Sequence, residues 1–163
     1  MNSNNKGVLI ALAGIAAIWF ILALAVHSQN KLSSRLPPKA VFQDEAAAKA
    51  GALAWIQAHA PQAHIVSTSG TPSMEPFIHG RTWVVVDPNV PYEEIRTDDC
   101  IEYVSHDASQ GIRDGTYVLH VVAAIDSGGF IMAGINNVAS ESASRVRRPD
   151  YIGKLLFVAD WPQ

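Results

Sequence analysis

From Gly7 to Val26 the chain reads GVLIALAGIAAIWFILALAV, a run without one charged or strongly polar side chain. Such a run has no face to offer to water, so as a helix it must be covered on every side. Its helical length is roughly 30 Å, the thickness of one hydrocarbon core. Lys6 stands before it, His27 after it, and Trp19 lies within it. A single transmembrane helix over residues 7–26 is the first expectation, with the lipid bilayer as a partner. A cleavable secretory signal is the alternative, because Ala23-Leu24-Ala25 has the small-x-small pattern that precedes such cleavage. The run is longer than the apolar core of such signals, about 7–15 residues, and Lys6 is the only basic side chain ahead of it, which favours the retained helix. Lys31, Arg35 and Lys39 follow the run, against Lys6 and the α-amino group before it. That count leans toward a cytoplasmic C-terminal side.

The rest of the chain divides by composition. Residues 27–43 are polar with a Pro37-Pro38 pair and read as a juxtamembrane linker. Residues 44–60, DEAAAKAGALAWIQAHA, predict a helix: Asp44 can cap it, Glu45 suits the positive end of its dipole, alanines fill it, and Pro61 stops it. Ala46, Leu53, Ile56 and Ala60 fall on one face and Trp55 on another, a partial apolar stripe for packing on a domain or at the membrane surface. After Pro61 helical periodicity ends. From Ile65 on, TWVVVD (82–87), DCIEYVS (99–105), TYVLHVVAAI (116–125), GGFIMAG (128–134) and YIGKLLFVAD (151–160) each place β-branched or aromatic residues between turn signals. Ser127-Gly128-Gly129 reads as a hairpin turn and Arg145–Arg148 as a solvated loop. The fold class expected is mainly β: a domain over 65–163, large enough for its own core, behind one transmembrane and one juxtamembrane helix.

Charge and residue counts remove several functions. A net charge of −3 gives no reason to expect nucleic acid as a partner. Six histidines without paired spacing and a single cysteine, Cys100, argue against a zinc site and an internal disulfide. No glycine-rich phosphate loop is present, and no cofactor is implied.

Nucleophilic chemistry is what remains. In GTPSMEPFI, Gly70 to Ile78, Pro72 and Pro76 fix their own φ and restrict their predecessors, so Ser73 is held on a shaped, rigid loop. A serine hydroxyl needs a base, usually His or Lys. The lysines are Lys6, Lys31, Lys39, Lys49 and Lys154; four precede the β domain and the fifth lies near its end. His120 stands mid-strand in an apolar run, a poor place for an imidazole without a task or a hydrogen-bonded partner. His79 and His106 lie in turn-like sequence.

GTPSMEPFIHGRTWVVVD resembles the nucleophile box of the signal peptidase I family, Ser-Met-x-Pro followed by a strand. Later boxes of that family have counterparts in the same order. YEEIRTDDCIEYVS is similar to its Ile-x-x-Gly-Asp strand, with Asp98-Asp99 in place of Gly-Asp. YVLHVVAAI is similar to the strand that carries the base in the endoplasmic-reticulum and archaeal branch, with Val121 replacing an arginine. FIMAGINNVASE resembles the Gly-Asp-Asn-Asn box, and YIGKLLFV the closing Ile-Gly-Lys strand. The likeness spans about residues 65–160. It implies a signal-peptidase-like β catalytic domain, Ser73 as nucleophile and His120 as general base. Ile135 occupies the place of the first acid of the Gly-Asp-Asn-Asn box, so the resemblance leaves Glu141 as the candidate third member. It also implies Thr71 and the Ser73 backbone N–H as oxyanion donors. The activity implied is a membrane-anchored serine endopeptidase that cuts exported precursor proteins with signal peptides after small residues, its catalytic domain outside the cytoplasm. Two alternatives stay open: a membrane-tethered binding module that kept the fold without catalysis, and a self-cleaving repressor-like peptidase, for which Ala50-Gly51 offers a bond ahead of the serine.

Overall fold

A computed structural model of the chain describes residues 36–107, 113–137 and 141–163, with side chains from 145 onward in the last segment. The apolar run at 7–26 lies outside the described residues. Among those described, no helix is long and apolar enough to cross a membrane. The described region, Leu36–Gln163, is one compact unit and is mainly β.

Its strands are β1 (Lys39–Val41), β2 (His64–Ser67), β3 (Trp83–Asp87), β4 (Cys100–Ser105), β5 (Thr116–Asp126), β6 (Gly129–Ala133), β7 (Glu141–Val146) and β8 (Tyr151–Asp160). They form one sheet in the order β2-β3-β8-β4-β5-β6-β7, and β1 also pairs with β8. Every pairing is antiparallel except β1 with β8. β8 is the hub. Lys154 stands opposite both Asp87 and Ile101, and Ala159 opposite both Trp83 and Ala40. β3 therefore occupies one edge of β8, and β4 and β1 lie end to end along the other. Long strand β5 changes partner midway, pairing with β4 through Val121 and with β6 from Val121 onward. Ser127-Gly128 closes the β5–β6 hairpin as expected, with Gly129 at φ 130° against the carbonyl of Val146, where a side chain would not fit.

Helix α1 (Glu45–His59) starts where its cap predicts. The Asp44 carboxylate accepts the Ala47 N–H at 2.8 Å, and the helix ends just before Ala60 and Pro61. Its buried face differs from the expected stripe. Ala48, Ala52 and Ile56 point inward with Ala60, whereas Leu53 is 44% exposed and Ala46 is exposed. Small residues win this face because they let the helix settle close on the sheet, over Val85, Phe157, Ala159 and Trp161. Trp55 reaches the same core from the side, its ring stacked 5.2 Å from that of Phe157. A second core gathers Ile95, Ile101, Tyr103, Val122, Phe130, Met132 and Val146 under β4, β5 and β6.

Two expectations need correction. The linker over 27–43 does not stay irregular: Lys39–Val41 adds a parallel strand to β8. The reason is a buried carboxylate. Asp160, 5% exposed, takes the Lys39 ammonium at 2.6 Å and accepts hydrogen bonds from Thr82 Oγ1 and the Trp161 N–H. Arg145–Arg148 is likewise not wholly loop. Arg145 and Val146 end β7, with Val146 buried and Arg145 bonded to Asp126 at 2.9 Å.

Candidate active site

The loop between β2 and β3 carries Ser73. Gly70 and Gly80 bracket it at φ 78° and 52°, conformations that favour glycine, so the chain can leave and re-enter the sheet sharply. Pro72, Ser73 and Met74 form a single 3₁₀ turn in which proline presets the first φ. Met74 and Ile78, 4% and 3% exposed, are driven into the interior, and the Phe77 and Ile78 amides both donate to the Met74 carbonyl. The loop is therefore pinned on both sides of a half-buried serine. The following Glu75–Pro76 peptide is cis.

A second segment clasps the loop from outside. After β6, Gly134 to Asn137 turns back against it: the Asn136 N–H donates to the Ser73 carbonyl at 2.9 Å, and Asn136 Nδ2 donates to the Pro72 carbonyl at 3.1 Å. Gly134 is needed for this approach, since a Cβ there would lie 2.5 Å from the Ser73 carbonyl oxygen. Ile135 belongs to this clasp.

His120 meets the serine across the cleft. It is 4% exposed on β5, and its Nε2 lies 2.9 Å from Ser73 Oγ. Its other nitrogen, Nδ1, lies 3.4 Å from the Tyr103 hydroxyl on β4. Ile101 pairs with His120 and Tyr103 with Val118, which puts Tyr103 and His120 on the same face of the sheet. With its proton on Nδ1, the ring donates to the Tyr103 oxygen and accepts the serine proton at Nε2. Thr71 Oγ1 is 3.4 Å from Ser73 Oγ, so the expected oxyanion hydroxyl is beside the candidate nucleophile. The Ser73 N–H falls in the first turn of the 3₁₀ segment, where amides have no acceptor within the turn.

Sequence reasoning singled out Ser73, His120 and Thr71, three side chains that lie together here. It missed Tyr103, whose role depends on the β4–β5 register and leaves no mark in the local pattern. Glu141 begins β7 opposite Met132 on β6, which puts its backbone two strands, about 10 Å, from β5. Its side chain lies outside the described residues. Lys154 is not a rival base, because its ammonium is 2.9 Å from the buried carboxylate of Asp99. Cys100 is buried, and burial, with Asp99 nearby, pushes its thiol far above the usual range. Among the described residues, no three His, Cys, Asp or Glu side chains gather so as to hold a metal ion. Ala50-Gly51 lies in the middle of α1, with Gly51 against the Phe42 ring, and not in an extended strand that a peptidase site could take.

The dyad opens on a cleft of about 400 Å³. One wall is the segment from Val66 to Thr71, the other Thr116 to His120, with Met74, Ile78 and Val84 behind them. Among the described residues, β2 pairs only with β3, and β5 takes β6 only from Val121, so Val66–Ser67 and Thr116–Leu119 present strand edges without a strand partner among the described residues. No family model, no curated protein and no solved structure matches the chain.

Proposed function

We propose that this chain is a serine endopeptidase whose working groups are Ser73 and His120. More particularly, it acts as a membrane-anchored peptidase of the signal peptidase I kind, with a signal-peptidase-like catalytic domain that cuts exported precursors after small residues. One observation carries the reading: residues 47 apart in the sequence bring a hydroxyl and an imidazole nitrogen to 2.9 Å at a cleft mouth. A nucleophile within hydrogen-bond reach of a base, itself contacted by a third group, is the arrangement that acyl transfer requires.

The chemistry follows from that geometry. His120 Nε2 takes the Ser73 proton as Oγ forms a bond to the scissile carbonyl carbon. The Ser73 N–H and the Thr71 hydroxyl face the developing oxyanion, each donor contributing on the order of 3 kcal/mol. The imidazolium then gives its proton to the leaving amine as the C–N bond breaks. Water, deprotonated by the same nitrogen, attacks the acyl-serine and restores both groups. An extended precursor segment suits the cleft because the edges at Val66–Ser67 and Thr116–Leu119, without a strand partner among the described residues, can bond to its backbone. The run at 7–26 supports a membrane anchor beside substrates whose own apolar segment is in the bilayer. A secretory-precursor peptidase meets its substrates outside the cytoplasm, so the catalytic domain is assigned to that side despite the positive charges after the run.

The test is cleavage of a precursor bearing an Ala-x-Ala site by the full chain, against Ser73→Ala. The wild type should process it and the variant should not, and a serine-directed fluorophosphonate should label only the wild type. Equal processing by the two would refute the assignment. Absence of both labelling and cleavage in the wild type would favour a binding module that kept this fold without catalysis.

A further inference from the structure

Glu102 stands in the cleft where an apolar residue would serve a small-residue pocket better. It lies on β4 opposite Leu119, on the face of the sheet opposite to that of Tyr103 and His120, and it helps to line the same cleft. It is 6% exposed and is the one carboxylate among the described lining residues. Among the described residues nothing donates a hydrogen bond to it. Its ion-pair neighbour is His64, whose Nε2 is 3.9 Å away on a side chain 46% exposed. Burial raises the Glu102 carboxyl above the usual carboxylate range, and His64 offsets only part of that rise. Its oxygens are not sealed in the interior, and without a protein donor their hydrogen-bonding capacity stays open to what enters the cleft. A cationic group entering the cleft would supply the missing donors, and charge-assisted bonds in such a shielded place are strong. Val66, Val84 and Ile78 would cover the methylene stem of such a side chain.

We infer that Glu102 is a specificity-determining residue of this cleft, selecting substrates that present a lysine or arginine side chain to it. The inference rests on the peptidase reading and narrows it: small residues are accepted at the other positions, and one subsite takes a basic side chain.

The experiment uses the full chain and a set of internally quenched peptides containing Ala-x-Ala, with a single lysine or norleucine walked through the positions around the cut. At one position lysine should raise kcat/KM about tenfold or more over norleucine, and Glu102→Gln should bring that ratio close to one. Absence of lysine preference at every position, or its survival in Glu102→Gln, overturns the inference. Glu102→Asp is the second variant, in case the amide fails to fold. A lysine preference reduced several-fold supports the assignment, and an unchanged one overturns it. Binding of the same peptides to Ser73→Ala, followed by fluorescence anisotropy, separates the two ideas. If nothing is cleaved but lysine peptides bind better, and Glu102→Gln removes the difference, the peptidase reading fails and the recognition site stands. Binding that is absent or indifferent to lysine sinks the recognition site itself.

Discussion

Ser73, His120 and Tyr103 form one chain of contacts, from Oγ to Nε2 and from Nδ1 to the phenol oxygen. The nearest competitor for the role of base, Lys154, is committed to Asp99. These facts predict opposite signatures for two substitutions. His120→Ala should lower kcat by about 10³-fold or more with little change in melting temperature, as loss of a triad member does. Lys154→Ala should keep its rate per folded molecule but lose about 1–2 kcal/mol of stability, because it strands a buried carboxylate. A dead lysine variant beside an active histidine variant would reverse the mechanism. On the peptidase reading, Tyr103 is a positioning residue that acts through its 3.4 Å contact with His120 Nδ1. Tyr103→Phe should reduce kcat about tenfold and leave KM unchanged; a variant in which KM rises and kcat holds would assign the hydroxyl elsewhere. Glu102 carries a prediction about stability. Its carboxyl is raised in the fold by burial, so the folded protein holds that proton more tightly than the unfolded chain. The stability this confers is complete below the ordinary glutamate range, about 4.3, and is lost as pH climbs through the higher folded value. Glu102→Gln should therefore melt above the wild type at neutral pH, with the gap closing in acid. A constant gap across that range would mean that the Glu102 proton is not involved.

At the scale of elements, the site depends on two segments that hold a loop. The 3₁₀ turn is pinned inside by Met74 and Ile78 and outside by the Gly134–Asn137 clasp. Gly134→Ala should place its methyl against the Ser73 carbonyl and push the nucleophile out of line. Cleavage should fall at least tenfold, since small misplacements of reacting groups are costly, while far-ultraviolet circular dichroism stays native. Wild-type rates in that variant would show that the clasp does not position the serine. The clasp was partly legible, as a box resembling Gly-Asp-Asn-Asn, although its work here is backbone support through Asn136. The strands β3, β4, β5, β6 and β8 were legible because each is a branched or aromatic run between turn residues. β1, β2 and β7 were not, because KAV and HIVS are too short to show a pattern and ESASRV is mostly polar. β1 enters the sheet through Lys39 and the buried Asp160, and β7 contributes Val146 to the core. Helix α1 was legible in extent but not in orientation, because hydrophobic weight favoured Leu53 while close packing favoured alanine. Tyr103 and Glu102 needed the strand register, which no local pattern reports.

The whole molecule divides after Arg35, with Leu36–Gln163 as a compact unit. Its lower boundary matters because β1 belongs to it. Lys39 pairs with Asp160 and also donates to the Phe77 carbonyl at 2.8 Å, so it joins the last strand to the nucleophile loop. A chain beginning at residue 36 should fold and cleave soluble peptides at a rate close to that of the full chain. A chain beginning at residue 44 should lose β1 and leave Asp160 without its cation. The cost should be about 2 kcal/mol or more, a fall of roughly 6 °C in melting temperature. Lys39→Met in the longer of the two should reproduce most of that loss if the charge, and not the strand pairing, is what matters. The same pair of chains tests the anchor. If residues 7–26 tether the protein to a bilayer, the full chain should sediment with membranes and resist alkaline extraction. The chain beginning at residue 36 should stay in the supernatant and lose efficiency only on membrane-embedded precursors. Full activity of that chain on such precursors would mean that the tether does not serve substrate encounter. Its continued sedimentation with membranes would mean that the run at 7–26 is not what binds the bilayer.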